Sequence, residues 1–153
     1  MIRYTKCTGI FMLIIIACAS PSCKKEAPAK TKLQLLTTAS WKLNALTVDP
    51  AYDYSGDGNS TTNLFALFEE CTKDDYSTFR TDGTAVSDQG SLKCDPNEPQ
   101  SFNMTWAFNE ERTKITIDNQ EYTIVELNSI QLRLTSQQTE EGVTYTRTAI
   151  FVH

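Results

Sequence analysis

The chain of 153 residues contains a single histidine, His153, at its last position. That leaves no imidazole for a Ser-His-Asp or Cys-His catalytic arrangement, and none for a histidine-rich zinc site. Phosphate-binding loops, nucleophile elbows and metalloprotease helices are also absent from the sequence. The carboxylate pairs Glu69-Glu70 and Glu140-Glu141 lie on no recognisable catalytic motif. We therefore expect a protein that is not an enzyme.

Long hydrophobic runs are missing as well. The longest apolar core, residues 10–17, is too short to cross a bilayer as a helix. It follows Arg3 and Lys6, and an apolar core of this length after a basic start is typical of a secretory signal. The sequence therefore predicts a protein that works outside the cytoplasm.

Two cysteines, Cys18 and Cys23, follow the apolar core, and this arrangement resembles a bacterial lipoprotein signal. Cys18 has the better lipobox, because Pro21 is unusual before Cys23. Lipidation at Cys23 removes Cys7 and Cys18 with the signal and leaves Cys71 and Cys94 as one pair, which favours Cys23. We expect a signal peptide over 1–22, a tether over 23–32 and a domain over 33–153. The resemblance implies a lipid-anchored envelope protein of the outer membrane, on its periplasmic or surface face.

Basic residues are few. The 14 Lys and Arg residues face 19 Asp and Glu residues, and the signal removes two of the basic ones. An acidic chain without a basic cluster is a poor candidate for binding nucleic acid or anionic headgroups. We expect a monomer whose partners are the membrane, through its anchor, and a small molecule. A protein partner cannot be identified from the sequence.

The pattern after Asp75 is dense in β-strands, and no helical segment of 10–15 residues interrupts it. Asp82-Gly83 lies between two short β-rich runs and predicts a hairpin. The alternation of apolar and polar residues predicts further strands at 102–108, 114–118, 122–127, 130–135 and 143–152. With a first strand from Trp41, strands at 76–80 and 84–88, and a short helix at 33–38, the count is about eight.

Short connections make neighbouring strands antiparallel, and a sheet of this many strands must curl or split to cover its edges. The sequence predicts an all-β fold, an eight-stranded antiparallel up-and-down β-barrel with a short N-terminal helix. A two-sheet sandwich is the alternative, and the nearly unbroken meander favours the barrel. The remaining cysteines, Cys71 and Cys94, are expected to form a disulfide, which would contribute ~3 kcal/mol.

Two stretches resemble bacterial lipocalin-like domain proteins. One is 36–43, in which a small residue and Trp41 open the first strand, and the other runs from Cys71 through Asp82-Gly83-Thr84 to Cys94. The resemblance covers residues 33–152 and implies a calycin-like small barrel. In that superfamily a basic side chain of the last strand often packs over the first-strand tryptophan, which implies that Arg147 contacts Trp41 at a closed end.

The inward-facing side chains could bind a ligand or fill the barrel, and in a barrel of this size the filled core is the commoner outcome. Arg147 is expected to make a cation–π contact with Trp41; the alternative is a counter-ion for an acidic ligand such as a fatty acid. The candidate ligand-binding residues are Trp41, Phe79, Phe102, Met104, Trp106, Tyr145 and Arg147.

The segment 53–59 has oxygen-bearing side chains at alternate positions, and this resembles the first half of an EF-hand calcium loop. The candidate ligands are Asp53, Ser55, Asp57 and Asn59. The twelfth position, which needs a bidentate glutamate, is Leu64, so a solvated turn fits the same residues. Calcium is the one cofactor that the sequence suggests.

Two functions follow from these observations. The first is a membrane-anchored module that binds a small apolar or amphipathic ligand inside the barrel. The second is a filled barrel whose long polar loops, 48–62 and 95–100, bind a protein or a glycan. An open cavity would favour the first function and a filled interior the second.

Overall fold

The computed structural model describes residues 28–153. The predicted signal peptide and both candidate lipidation sites, Cys18 and Cys23, lie outside the described residues, as does the tether up to residue 27. Within the described part of the chain, no helix is long and apolar enough to cross a membrane. Because the residues before 28 are not described, the predicted division into signal peptide, tether and domain stays a prediction.

The described chain is mostly β-strand. Its helical elements are α1 (Lys32–Thr37), a 3₁₀ turn (Leu64–Leu67) and α2 (Glu70–Lys73). Its strands are β1 (Trp41–Tyr52), β2 (Thr61–Asn63), β3 (Tyr76–Phe79), β4 (Thr84–Asp88), β5 (Ser101–Phe108), β6 (Lys114–Ile117), β7 (Gln120–Leu127), β8 (Gln131–Glu140) and β9 (Val143–Val152).

Eight of these strands close into a barrel. From β3 to β9 each strand pairs antiparallel with the next, and β1 pairs with both β3 and β9. The β1–β9 seam runs from Lys42 opposite Val152 to Asp49 opposite Thr146. The predicted up-and-down barrel, closed by pairing of the first strand with the last, is confirmed.

The hairpin at Asp82-Gly83 is also confirmed. Asp82 Oδ1 accepts hydrogen bonds from the backbone N–H of Thr84 at 2.9 Å and from its hydroxyl at 2.6 Å. Gly83 has a φ of +84°, a conformation that glycine adopts without steric cost. The turn joins β3 to β4, which are in register from Phe79 opposite Ala85 to Tyr76 opposite Asp88.

Helix α1 and Trp41 close one end of the barrel. Thr31 caps the helix in a capping box with Gln34. The side chain of Leu36, a residue of this helix, is fully buried. Trp41 is 1% exposed, and its indole N–H donates to the Leu36 carbonyl at 2.9 Å. The ring centre of His153 lies 3.9 Å from that of Trp41, so the beginning and the end of the domain meet here.

The predicted contact between Trp41 and Arg147 is wrong. Arg147 pairs with Val48, seven residues further along β1 than Trp41. Its guanidinium carbon lies 5.9 Å from the ring centre of Tyr52, near the opposite end of the strand. The physical reason is register: β9 runs antiparallel to β1, so the last residues of β9, and not its middle, lie beside Trp41.

The segment between β1 and β3 differs from its prediction in two places. Strand β1 continues to Tyr52, into the predicted loop, and residues 61–63 pair with it as β2. The apolar pattern of residues 63–70 is that of one short helix, but the structure has a 3₁₀ turn and a separate short helix, because Phe68 between them has extended backbone angles. The predicted disulfide between Cys71 and Cys94 is confirmed, and it ties α2 to the loop between β4 and β5.

Candidate functional site

The barrel is not filled. It holds a cavity of about 510 Å³, whose surface is mainly apolar. The commoner outcome for a barrel of this size, a dry packed core, is therefore wrong for this chain. Except for Phe68, the lining residues belong to strands: Leu43, Leu46, Phe68, Ser77, Phe79, Met104, Ile117, Gln120, Tyr122, Leu132, Leu134, Ser136, Gln137, Gln138, Arg147, Ala149 and Phe151.

The cavity has an apolar and a polar end. Phe79, Leu132 and Leu134 are buried in the core cluster that includes Trp41, so they lie toward the closed end. Gln120 begins β7, and Gln138 lies near the end of β8, so both lie toward the opposite end of the barrel. This arrangement can accept the apolar part of a molecule in its interior and a polar group near the mouth.

Arg147 is the cationic residue of the cavity lining. It lies on β9 between its cross-strand neighbours Val48 and Ser136. Its Nε is buried and has no hydrogen-bond partner among the described residues. The ion pairs of residues 28–153 involve other cations, and so no carboxylate oxygen in this part of the chain lies within 4.0 Å of the guanidinium.

At the polar end of the cavity, Tyr52, Glu140 and Gln138 form a hydrogen-bonded group close to Arg147. The Tyr52 hydroxyl donates to one carboxylate oxygen of Glu140 at 2.8 Å, and the Gln138 amide donates to the other at 2.5 Å. The bond to Glu140 raises the pKa of Tyr52, while the positive charge of Arg147 opposes the rise. Tyr145 packs edge-on against Tyr52, with ring centres 4.9 Å apart. Glu140 therefore bonds to Tyr52 and Gln138 and not to the arginine.

Tyr122 contributes a phenol to the wall. Burial raises the pKa of Tyr122, and the charge of Arg147 lowers it by a smaller amount. The phenol therefore keeps its proton at neutral pH and can donate a hydrogen bond inside the cavity.

One side of the barrel has a gap in its hydrogen bonding, and a separate segment covers it. Strand β1 pairs with β3 only at Trp41 and Lys42. Beyond this point Leu43 and Leu46 line the cavity together with Phe68, which belongs to the segment between the 3₁₀ turn and α2. The Cys71–Cys94 bridge fastens that segment three residues after Phe68.

Three of the seven residues predicted to bind a ligand line the cavity: Phe79, Met104 and Arg147. Trp41 and Trp106 are buried in the core cluster instead, and Tyr145 packs on Tyr52 without being part of the lining. Phe102 is 44% exposed, because it lies at the beginning of β5, where the strand leaves the packed part of the barrel.

Sequence reasoning missed Phe68, the whole β8 wall and the lining residues of β1, β6 and β7. The alternation of Leu132, Leu134 and Ser136 carried the signal for the wall, since every second residue of a strand faces the same side. Phe68 had no such signal, because it lies between two short helical elements and so outside any strand alternation.

The candidate calcium loop is held by its own side chains. Asp53 accepts from the backbone N–H groups of Gly56 and Gly58, both at 2.8 Å. Asp57 accepts from Asn59 N–H at 2.8 Å, and this bond lowers the pKa of its carboxyl. Leu64, at the position of the closing glutamate, is buried in the interior. Calcium binding by Asp53, Ser55, Asp57 and Asn59 stays a prediction.

One other group of potential metal ligands occurs within residues 28–153. Glu69 lies close to the sulfurs of Cys71 and Cys94. Those two sulfurs are bonded to each other, so they are not available as thiolate ligands.

The family model described as "Lipocalin-like domain" matches residues 38–134, more than half of the chain. The chain belongs to the lipocalin-like domain family. The lipocalin-like barrel is a fold that binds small hydrophobic ligands, and its members are typically not enzymes. No curated protein matches the sequence.

A solved structure is also similar to this lipocalin-like domain. It is a complex of bovine odorant binding protein with a selenium-containing odorant, and it is 16% identical in sequence. The alignment covers 84% of this chain and 76% of that chain, with a TM-score of 0.42. At this level the similarity carries no information about what the present chain binds.

Proposed function

We propose that this protein is a monomeric, non-enzymatic lipoprotein of the cell envelope that binds one small apolar or amphipathic molecule inside its barrel. The observation that carries the proposal is the cavity of about 510 Å³ with its mainly apolar wall. Small-molecule sites in proteins typically have volumes of ~300–1,000 Å³ and a few placed polar groups among apolar ones. The cavity of this protein has a volume in that range, and its wall likewise combines apolar side chains with a few polar ones.

The cavity supports ligand binding over recognition by the loops. A filled barrel was the condition that favoured a protein or glycan partner, and the interior is hollow. In the loop 53–59 the carboxylates of Asp53 and Asp57 accept hydrogen bonds from the backbone of the loop itself. Fewer carboxylate oxygens are therefore available to bind a partner.

The ligand part of the proposal is tested by filling the cavity. Ala149 lines the cavity, and Ala149→Phe should reduce its volume; Ala107→Phe makes the same change at an exposed position of β5. Native mass spectrometry of protein extracted from the envelope should find a bound mass of a few hundred daltons in the wild type and in Ala107→Phe. Loss of this mass in Ala149→Phe is the expected result. An apo mass for the wild-type protein would contradict the proposal.

The envelope location depends on the anchor. The apolar core at 10–17 and the cysteines after it support lipidation at Cys23, with Cys18 as the alternative. Cys23→Ser should release the protein from the membrane fraction, whereas Cys18→Ser should leave it there. The opposite result would assign the anchor to Cys18, and retention of both variants would contradict lipid anchoring at either residue.

A further inference from the structure

Arg147 places a positive charge in the wall of an apolar cavity and forms no ion pair with another residue of 28–153. We propose that the ligand is an acidic amphiphile, a single apolar chain with one negatively charged head group that binds Arg147. The inference rests on the proposed function, since it specifies the ligand of the same cavity.

The first argument is the unpaired charge. No carboxylate oxygen of the described residues lies within 4.0 Å of the guanidinium, and the buried Nε has no hydrogen-bond partner there. A charge or a polar N–H that is withdrawn from water without a partner costs free energy. A carboxylate or phosphate of a ligand would offset that cost, because both accept two parallel hydrogen bonds from a guanidinium.

The second argument is the position of Arg147 along the cavity. Ser136 lies directly opposite it on β8, and Ser136 and Tyr122 are lining residues whose hydroxyl groups can donate hydrogen bonds to a head group. The wall toward the closed end is formed by apolar side chains such as Leu132 and Phe79. An amphiphile would therefore lie with its head at Arg147 and its chain pointing to the closed end.

Glu140 is the carboxylate that could compete for this arginine. Both of its oxygens already accept hydrogen bonds, one from Tyr52 and one from Gln138. Tyr52 contacts both groups: its hydroxyl donates to Glu140, and its ring centre lies 5.9 Å from the Arg147 guanidinium carbon. The guanidinium N–H groups remain available to a ligand.

The test compares three probes with the same twelve-carbon chain: dodecanoate, monododecyl phosphate and neutral 1-dodecanol. The full-length protein is held in phosphatidylcholine nanodiscs, and binding is measured by equilibrium dialysis of radiolabelled probe against empty nanodiscs. The variants are Arg147→Gln, which removes the charge, and Arg147→Lys, which keeps it. Arg133→Gln is the matched control, because Arg133 is an arginine of β8 that lies outside the cavity lining.

We expect the wild type to bind an anionic probe at least ~10-fold more tightly than dodecanol. Arg147→Gln should weaken anion binding by ~10- to 100-fold, as the loss of a charge-assisted hydrogen bond implies. It should leave dodecanol binding unchanged, which also shows that the variant is folded. Arg147→Lys should recover part of the affinity, and Arg133→Gln should behave as the wild type.

Preference for dodecanoate over monododecyl phosphate would identify a carboxylate head group, and the reverse preference a phosphate; either supports an acidic ligand. Equal affinity for dodecanol and both anions, or an equal loss of all three in Arg147→Gln, would overturn the inference while the cavity still binds ligand. Binding of none of the three probes by the wild type would contradict the proposed function as well.

Discussion

Replacing Trp41 by alanine should strongly destabilise the barrel, because Trp41 closes one end of it. The side chain is 1% exposed and packs against the ring of His153 at 3.9 Å. Truncation of a large buried aromatic costs about 3–5 kcal/mol, the lost burial and the cavity left behind acting together. Since single domains are stable by only about 5–15 kcal/mol, the change would remove a large part of the free energy of unfolding.

The Trp41→Phe variant separates packing from hydrogen bonding. Phenylalanine keeps most of the apolar ring but loses the indole N–H that donates to the Leu36 carbonyl at 2.9 Å. Leaving this buried carbonyl without its donor should cost about 1–3 kcal/mol, less than the alanine substitution. Tyr54→Ala, which truncates an exposed loop aromatic, is the matched control and should change stability by less than about 0.5 kcal/mol.

The measurement is urea unfolding followed by far-ultraviolet circular dichroism, a signal dominated by the backbone amides. The slope of free energy against urea should be the same for all variants, so that the midpoints report stability. A loss below about 1.5 kcal/mol in Trp41→Ala, or equal losses in Trp41→Ala and Trp41→Phe, would refute this account of the closed end.

Two further predictions concern the segment beside the β1–β3 gap. Thiol titration of unreduced protein should find the Cys71–Cys94 bridge fully formed, and two reactive thiols would contradict the bridge. Replacing both cysteines by alanine should lower the free energy of unfolding by about 3 kcal/mol in urea, since the bridge restricts the unfolded chain. Burial, and then the charges of two neighbouring aspartates, raise the pKa of Asp75 above 3.8. As pH rises from 3.8, the unfolded chain loses this proton first, so the folded state holds more protons and the stability contributed by Asp75 falls. Asp75→Asn should therefore raise the melting temperature at pH 7 and have little effect at pH 3, and an equal effect at both pH values would contradict the assignment.

The strand pattern was predictable because it depends on local chemistry. Asp82-Gly83 has the residues that a tight turn needs, and the alternation of residues 102–108 places every second side chain on one face whatever the neighbouring strands are. The short connections then left antiparallel neighbours as the only arrangement. Closure of the first strand on the last was favoured over a two-sheet sandwich, and the β1–β9 pairing confirms it.

The interior was not predictable in the same way. The predicted inward residue Met104 lines the cavity, whereas Trp106, on the same face of β5, lies in the packed core and outside the lining. Alternation specifies the face on which a side chain lies but not its height along the barrel axis. Height decides between core and cavity, and it depends on the register between strands, which is a property of the assembled sheet.

The sequence by itself determined the antiparallel meander from β3 to β9, the all-β class, the cysteine pair and the signal-like N-terminus, because each depends on neighbours in the chain or on the count of a residue type. Only the tertiary structure decided that the barrel is hollow and that Arg147 belongs to the cavity. Whether a barrel contains empty space depends on how the volumes of side chains from eight strands and the covering segment combine. Arg147 is separated from Trp41 because the antiparallel pairing of β1 and β9 sets it opposite Val48.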